Sequence, residues 1–151
     1  MTDPDIRVEE ATAVSGELVS TLRELVSQLS SASAPSEQEL EAIVSSPATR
    51  LLVARDSGGA VIGTLTLVLF RIPTGMRAWI EDVVVDEAAR GRGTGEHLIR
   101  AALALAEANG ARTVDLTSRP SREAANRLYE KLGFELRETN VYRFRSPAPP
   151  P

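Results

Sequence analysis

The chain has 151 residues, enough for one globular domain that buries roughly 68 to 70 per cent of the surface its unfolded form exposes. Hydrophobic residues make up 42% and charged residues 25%, the balance of a soluble globule, and a formal net charge of -4 argues against a general nucleic-acid binder. Cysteine is absent and His97 is the single histidine, which excludes a disulfide framework, a thiolate zinc cluster, a cysteine nucleophile and any site needing two imidazoles from one chain.

Residues 1–6 are polar, with no basic segment followed by an apolar run. The longest apolar stretch, residues 60–70, is interrupted by Gly63, Thr64 and Thr66 and is too short to span a bilayer. The expectation is a cytoplasmic protein that engages neither membrane nor nucleic acid and holds no metal.

In chain order, residues 6–10 read as a short strand. Residues 16–30 read as a helix, with Leu18, Leu22, Leu25, Val26 and Leu29 at helical spacing. Ser36, with Glu39 three positions on, forms a capping box that starts a second helix running to about Val44. Residues 51–55 and 60–70 are strands around the turn Asp56-Ser57-Gly58-Gly59. Residues 79–85 form another strand, reached through Pro73-Thr74-Gly75. A short loop leads into a long helix over residues 94–108, which Asn109-Gly110 stops. Residues 113–117 are a strand, 122–132 a helix ended by Gly133, and 134–139 and 141–144 two last strands. This order describes a mixed α/β sheet in which the strands before and after the long helix are parallel neighbours. The domain is expected to span residues 1–145. Residues 146–151, rich in proline, are expected to form a disordered, polyproline-like tail.

Arg90-Gly91-Arg92-Gly93-Thr94-Gly95 concentrates glycine at the start of the long helix. Glycine lets a ligand approach the backbone, and the first helical turn presents unpaired N–H groups at the positive end of the dipole. With Arg90 and Arg92 on the rim, a phosphate or pyrophosphate is the best ligand for such a cradle. The bland alternative is a glycine-rich turn with solvated arginines. A dinucleotide fingerprint fits less well, because its third glycine falls on Glu96 or Leu98, although Asp115 follows at a suitable distance. No Gly-Lys-Ser/Thr follows, which excludes a Walker loop.

Taken with Val83-Val84-Val85-Asp86, the Arg-x-x-Gly-x-Gly of this loop resembles the acyl-CoA signature of the GNAT (GCN5-related N-acetyltransferase) family. Ala124-Ala125-Asn126-Arg127-Leu128-Tyr129-Glu130-Lys131-Leu132-Gly133-Phe134 resembles that family's second signature, a helix ending in Leu-Tyr-x-Lys-x-Gly-Phe. The resemblance implies a single mixed sheet of about seven strands flanked by about four helices, splayed at the two central parallel strands. It implies acetyl-CoA as co-substrate, its pantetheine arm pairing with backbone groups of Val83, Val84 and Val85. The N–H groups of Gly91, Arg92, Gly93, Thr94, Gly95 and Glu96 would hold the pyrophosphate, with Arg90 and Arg92 supplying charge. A backbone N–H near Val83 would face the thioester carbonyl.

Acyl transfer to an amine also needs proton movements, since keeping an amine neutral at pH 7 costs about 4 to 5 kcal/mol. Glu81 and Asp82 are the candidate bases. Glu81 is favoured because simple alternation puts it on the face of Val83 and Val85, unless a bulge breaks the phase. By its match to the motif, Tyr129 would protonate the leaving thiolate. Many relatives carry an asparagine seven residues before that tyrosine. Arg122 stands there and would reach a phosphate or the adenine, and Asn126 is a further cofactor contact. His97 falls opposite Leu98 and Leu105, with no catalytic role expected.

The resulting expectation is an acetyl-CoA-dependent N-acetyltransferase working through a ternary complex on a primary amine of a small molecule or protein, assembled as a homodimer. A non-catalytic acyl-CoA sensor with the same fold is the alternative.

Overall fold

The computed structural model describes residues 2–148. They run β1 (Arg7–Glu10), α1 (Gly16–Leu29), α2 (Glu37–Ser45), β2 (Thr49–Arg55), β3 (Val61–Ile72), β4 (Gly75–Val85), a 3-10 turn (Glu87–Ala89), α3 (Thr94–Ala108), β5 (Val114–Asp115) and α4 (Glu123–Lys131). The chain divides into two compact units, one ending at Thr117 and the other beginning at Ser118.

In the first unit the strands form one sheet in sequence order. Neighbours from β1 to β4 are antiparallel and β5 lies parallel to β4. Local chemistry starts both helices, at Ser36 as the sequence predicts and at Ser15 by a cap of the same kind. Ser15 Oγ accepts from the Leu18 N–H at 3.1 Å and Ser36 Oγ from the Glu39 N–H at 3.1 Å. Leu18, Leu22 and Leu25 on α1 and Leu40 on α2 then pack with Leu51 and Val53 of β2, Val61 of β3 and Val84 of β4.

Alternation sends the intervening residues of β2 to the other face, where Ala54 pairs with Gly63. A Cβ on Gly63 would stand 3.2 Å from both Leu98 Cδ1 and Thr94 Cγ2. The missing side chain is what lets α3 lie so close to the sheet. That helix buries Leu98, Ile99, Ala102 and Ala106 completely.

The second unit contains α4, whose C-terminus is closed by two backbone bonds. Gly133 N–H donates to Glu130 at 3.1 Å and Phe134 N–H to Tyr129 at 2.9 Å. This is the Schellman arrangement, with Gly133 in the left-handed region at φ 99°.

Two expectations are corrected. The sheet has five strands among the described residues rather than about seven, because residues 134–139 and 141–144 join no ladder. Residues 135–148 donate and accept no backbone hydrogen bond among the described residues. Their alternating apolar pattern specifies two faces but does not supply a strand to pair with. The strand expected over 113–117 likewise shortens to Val114–Asp115, paired with Ala78 and Trp79. Of the expected proline-rich tail, residues 149–151 lie outside the described residues.

Candidate functional site

β4 pairs with β3 along its whole length, from Gly75 to Val85, but its β5 ladder reaches only Ala78 and Trp79. The other edge of residues 80–85 therefore carries backbone donors and acceptors with no β5 partner. Val84 is buried in the α1/α2 core, which fixes the strand, while Val83 and Val85 are half-buried. Beyond Val85, Asp86 N–H donates to Ile62 at 2.8 Å and its Oδ1 accepts from the Ala88 N–H, folding the chain into the turn that delivers Arg90 to the loop.

Gly93 is the N-cap of α3, with φ 80° and no side-chain cap on the helix. The first-turn N–H groups are thus left for a ligand or solvent. Thr94 Oγ1 beside them is buried without a hydrogen-bond partner, and Gly91 faces open space. Uncapped donors, an orphan hydroxyl and a rim guanidinium on exposed Arg90 are chemistry that suits an anionic group such as a pyrophosphate.

The loop also has a partner that sequence reading missed. Arg92, expected to serve a phosphate, is paired with Asp3, its Nη2 2.9 Å from Oδ2. The same segment bonds Asp3 N–H to the Arg92 carbonyl at 2.8 Å, and Thr2 Oγ1 to Glu96 Oε2 at 3.2 Å. His97, expected on a solvated face, is half-buried with Nε2 2.7 Å from the Asp3 carbonyl. The Asp5 N–H and the Arg92 guanidinium hold the Asp3 carboxyl below its ordinary value of 3.8. A separation of 89 positions leaves no local signal for such a contact. Asp115, the residue a dinucleotide reading needs for a ribose, is instead bound to Arg77 at 3.2 Å.

The acids on β4 stand at an irregularity. Thr64 pairs with Val84 but Thr66 pairs with Glu81, so Asp82 and Val83 together oppose Leu65. Asp82 takes φ 49°, the one non-glycine residue among those described with a positive φ. The bulge shifts the phase, so Glu81 falls on the face of Val84 and not on that of Val83 and Val85, correcting the simple alternation. Its Oε1 accepts from Trp79 Nε1 at 2.8 Å, one step along the same face. Asp82, with Thr64 and Thr66, lines a cavity of about 270 Å³ roofed by α1, α2 and the connection between them. A larger depression of about 420 Å³ lies near the Gly58-Gly59 turn, but Glu17, Glu24 and Asp86 around it suit neither an anion nor a thioester.

In the second unit, Arg122, Asn126 and Tyr129 share α4 and its N-cap. Asn126 Nδ2 donates to the Arg119 carbonyl at 3.1 Å. Tyr129 meets Phe134 edge-on, with ring centroids 5.8 Å apart. The Schellman closure places these two residues at the positions where an apolar contact accompanies the motif, so the spacing of Tyr129, Gly133 and Phe134 is a helix stop that orients a tyrosine. Burial pushes the Tyr129 phenol above its ordinary value of 10.0, a nearby Arg122 charge opposing it. Among the described residues no group of three potential metal ligands comes together, and no helix is long and apolar enough to cross a membrane.

The profile of the Acetyltransferase (GNAT) family matches residues 18–134. The chain belongs to that family. No curated protein sequence matches it. Among solved structures, it is similar to a Trypanosoma brucei acetyltransferase, at 26% identity and TM-score 0.76 over 93% of this chain and 100% of that one. It is also similar to a Bacillus halodurans C-125 transcriptional regulator, at 25% identity and TM-score 0.74 over 93% and 99%. An aminoglycoside acetyltransferase from an uncultured soil metagenomic sample shares the fold, at 20% identity and TM-score 0.77 over 95% and 97%.

Proposed function

We propose that the protein transfers an acetyl group from acetyl-CoA directly to a primary amine held in the same complex. The observation that carries this reading is the unpaired edge of β4 over residues 80–85, leading through one turn into the uncapped start of α3. An extended amide-bearing arm fits such an edge as a surrogate strand, and a pyrophosphate fits the donors beyond it.

In this reading, backbone groups of Val83, Val84 and Val85 hold the pantetheine arm and a nearby N–H polarises the thioester carbonyl. The N–H groups of residues 91–96 hold the pyrophosphate. Arg90 and Arg122 supply its positive charge, Arg92 being engaged by Asp3, and Asn126 adds a cofactor contact. The ammonium of the acceptor gives a proton to the Glu81–Asp82 pair or to a water held there. Glu81 is the base favoured from the sequence, and Asp82 faces the cavity. The neutral nitrogen attacks the carbonyl carbon, the C–S bond breaks as the nitrogen sheds its second proton to solvent, and Tyr129 protonates the departing thiolate and regains its own proton from solvent. With no cysteine in the chain, no cysteinyl acyl-enzyme intervenes.

Both units belong to one acetyltransferase domain in this reading, since the family match crosses the division after Thr117. A homodimer in the cytoplasm completes it. Release of free CoA thiol across a panel of amines tests the chemistry. Tyr129→Phe is expected to lower kcat by about 10²-fold or more while leaving acetyl-CoA affinity within a few-fold, the size expected for loss of a general acid. Tight acetyl-CoA binding with no acetylation of any amine or protein, and no effect of Tyr129→Phe, supports the sensor alternative instead.

A further inference from the structure

The cavity beside the β4 bulge has two kinds of wall. Leu22, Val26 and Leu29 of α1 and Leu40 and Ile43 of α2 make it apolar. Its charged lining residues among those described are Asp82 on the sheet and Glu39 on α2, both acids. Thr64 and Thr66 supply hydroxyls on the floor, and Thr64 is buried. No lysine or arginine lines it, so a phosphate or carboxylate on the ligand meets repulsion from two acids and no cationic partner. Its volume of about 270 Å³ falls just below the roughly 300 to 1,000 Å³ of ligand sites for drug-sized molecules, which limits it to a compact ligand.

We infer that the acceptor is a compact amine with a cationic head and an apolar body, an alkylamine or arylalkylamine rather than a polyhydroxylated or phosphorylated amino sugar. This deepens the acetyltransferase reading and rests on it. Charge complementarity places the ammonium at Asp82, next to the unpaired edge of β4, while the α1 and α2 side chains take the hydrocarbon. A sugar in the same space would set most of its ring hydroxyls against leucine, valine and isoleucine, with only the hydroxyls of Ser30, Ser33, Thr64 and Thr66 and the two acids to pair with.

The single tryptophan, Trp79, makes binding visible without turnover. It is bonded to Glu81, which lies opposite cavity residue Thr66. Titration of the CoA-loaded protein with phenethylamine or hexylamine is expected to give a saturable change in Trp79 fluorescence, at least tenfold tighter than with glucosamine or glucosamine 6-phosphate. Ala32 is an exposed residue on the cavity wall, so Ala32→Phe narrows the space without cutting into the core. It should weaken the two apolar amines about tenfold and leave acetyl-CoA affinity unchanged. Equal or tighter binding of the sugars, or indifference of the apolar amines to Ala32→Phe, overturns the inference. Acetylation rates on the same compounds separate the two readings. Sugars acetylated faster than apolar amines defeat this inference and leave the activity standing, whereas apolar amines that bind as described but are never acetylated defeat the activity alone.

Discussion

Asp82 holds a conformation that costs a non-glycine residue on the order of 1 to 3 kcal/mol, and aspartate is among the residues that tolerate it best. Asp82→Gly should therefore raise the melting temperature slightly, by up to about 1 kcal/mol in stability, while lowering the acetylation rate. Asp82→Asn should leave stability near wild type and lower the rate similarly. Thermal melts read beside initial rates check this, and a glycine variant that is both less stable and fully active removes the functional reason for the strain. At the other end of the site, Asp3 titrates below its ordinary 3.8 because its ionised form is bonded to Asp5 and Arg92. A depressed folded value means the contact stabilises above the unfolded pKa and is lost only as pH falls through the folded one. The NMR shift of the Asp3 carboxyl carbon should therefore titrate with a midpoint below 3.8, whereas a midpoint at or above that value contradicts the pairing. Tyr129 has the opposite sign. Its raised value keeps the phenol protonated throughout neutral pH, so its ionisation should reduce kcat only above pH 10.0.

At the scale of elements, α4 and the sheet under α3 each depend on one glycine, for different reasons. Gly133 closes α4 in the left-handed region, so Gly133→Ala should cost about 1 to 2 kcal/mol and loosen Tyr129 against Phe134. Denaturant titration measures the first effect and the rate of thiol release the second. Gly63 matters through contact instead. Its added Cβ would meet the Val84 carbonyl at 3.1 Å as well as Leu98 and Thr94, so Gly63→Ala should destabilise by about 1 to 3 kcal/mol despite an ordinary strand conformation. These elements also explain what the sequence revealed. The helix start at Ser36 and the stops at Gly110 and Gly133 were legible because capping chemistry is local. The bulge at Asp82 was not, since an extra residue in β4 shows only against the register of β3. Nor was the Asp3 contact with Arg92, which depends on where the first strand enters the sheet.

Over the whole molecule, a chain of net charge -4 still presents a basic rim at Arg90 beside an uncapped helix, and an acidic, apolar cavity at Asp82. In the proposed reading, distribution rather than total charge separates an anionic donor from a cationic acceptor. Residues 134–139 and 141–144 read as strands, but whether they pair was not legible, and Leu136, Tyr142 and Phe144 stand 96%, 88% and 89% exposed. Amide hydrogen exchange should accordingly be fast over residues 135–148 and slow in β2 and β3, and strong protection of residues 141–144 would reveal a ladder that the isolated chain lacks. The most direct test of the central claim is a matrix of initial rates of thiol release, varied in both acetyl-CoA and an accepted amine. Transfer within one ternary complex predicts double-reciprocal lines that intersect, while parallel lines, or no amine-dependent release at all, contradict it.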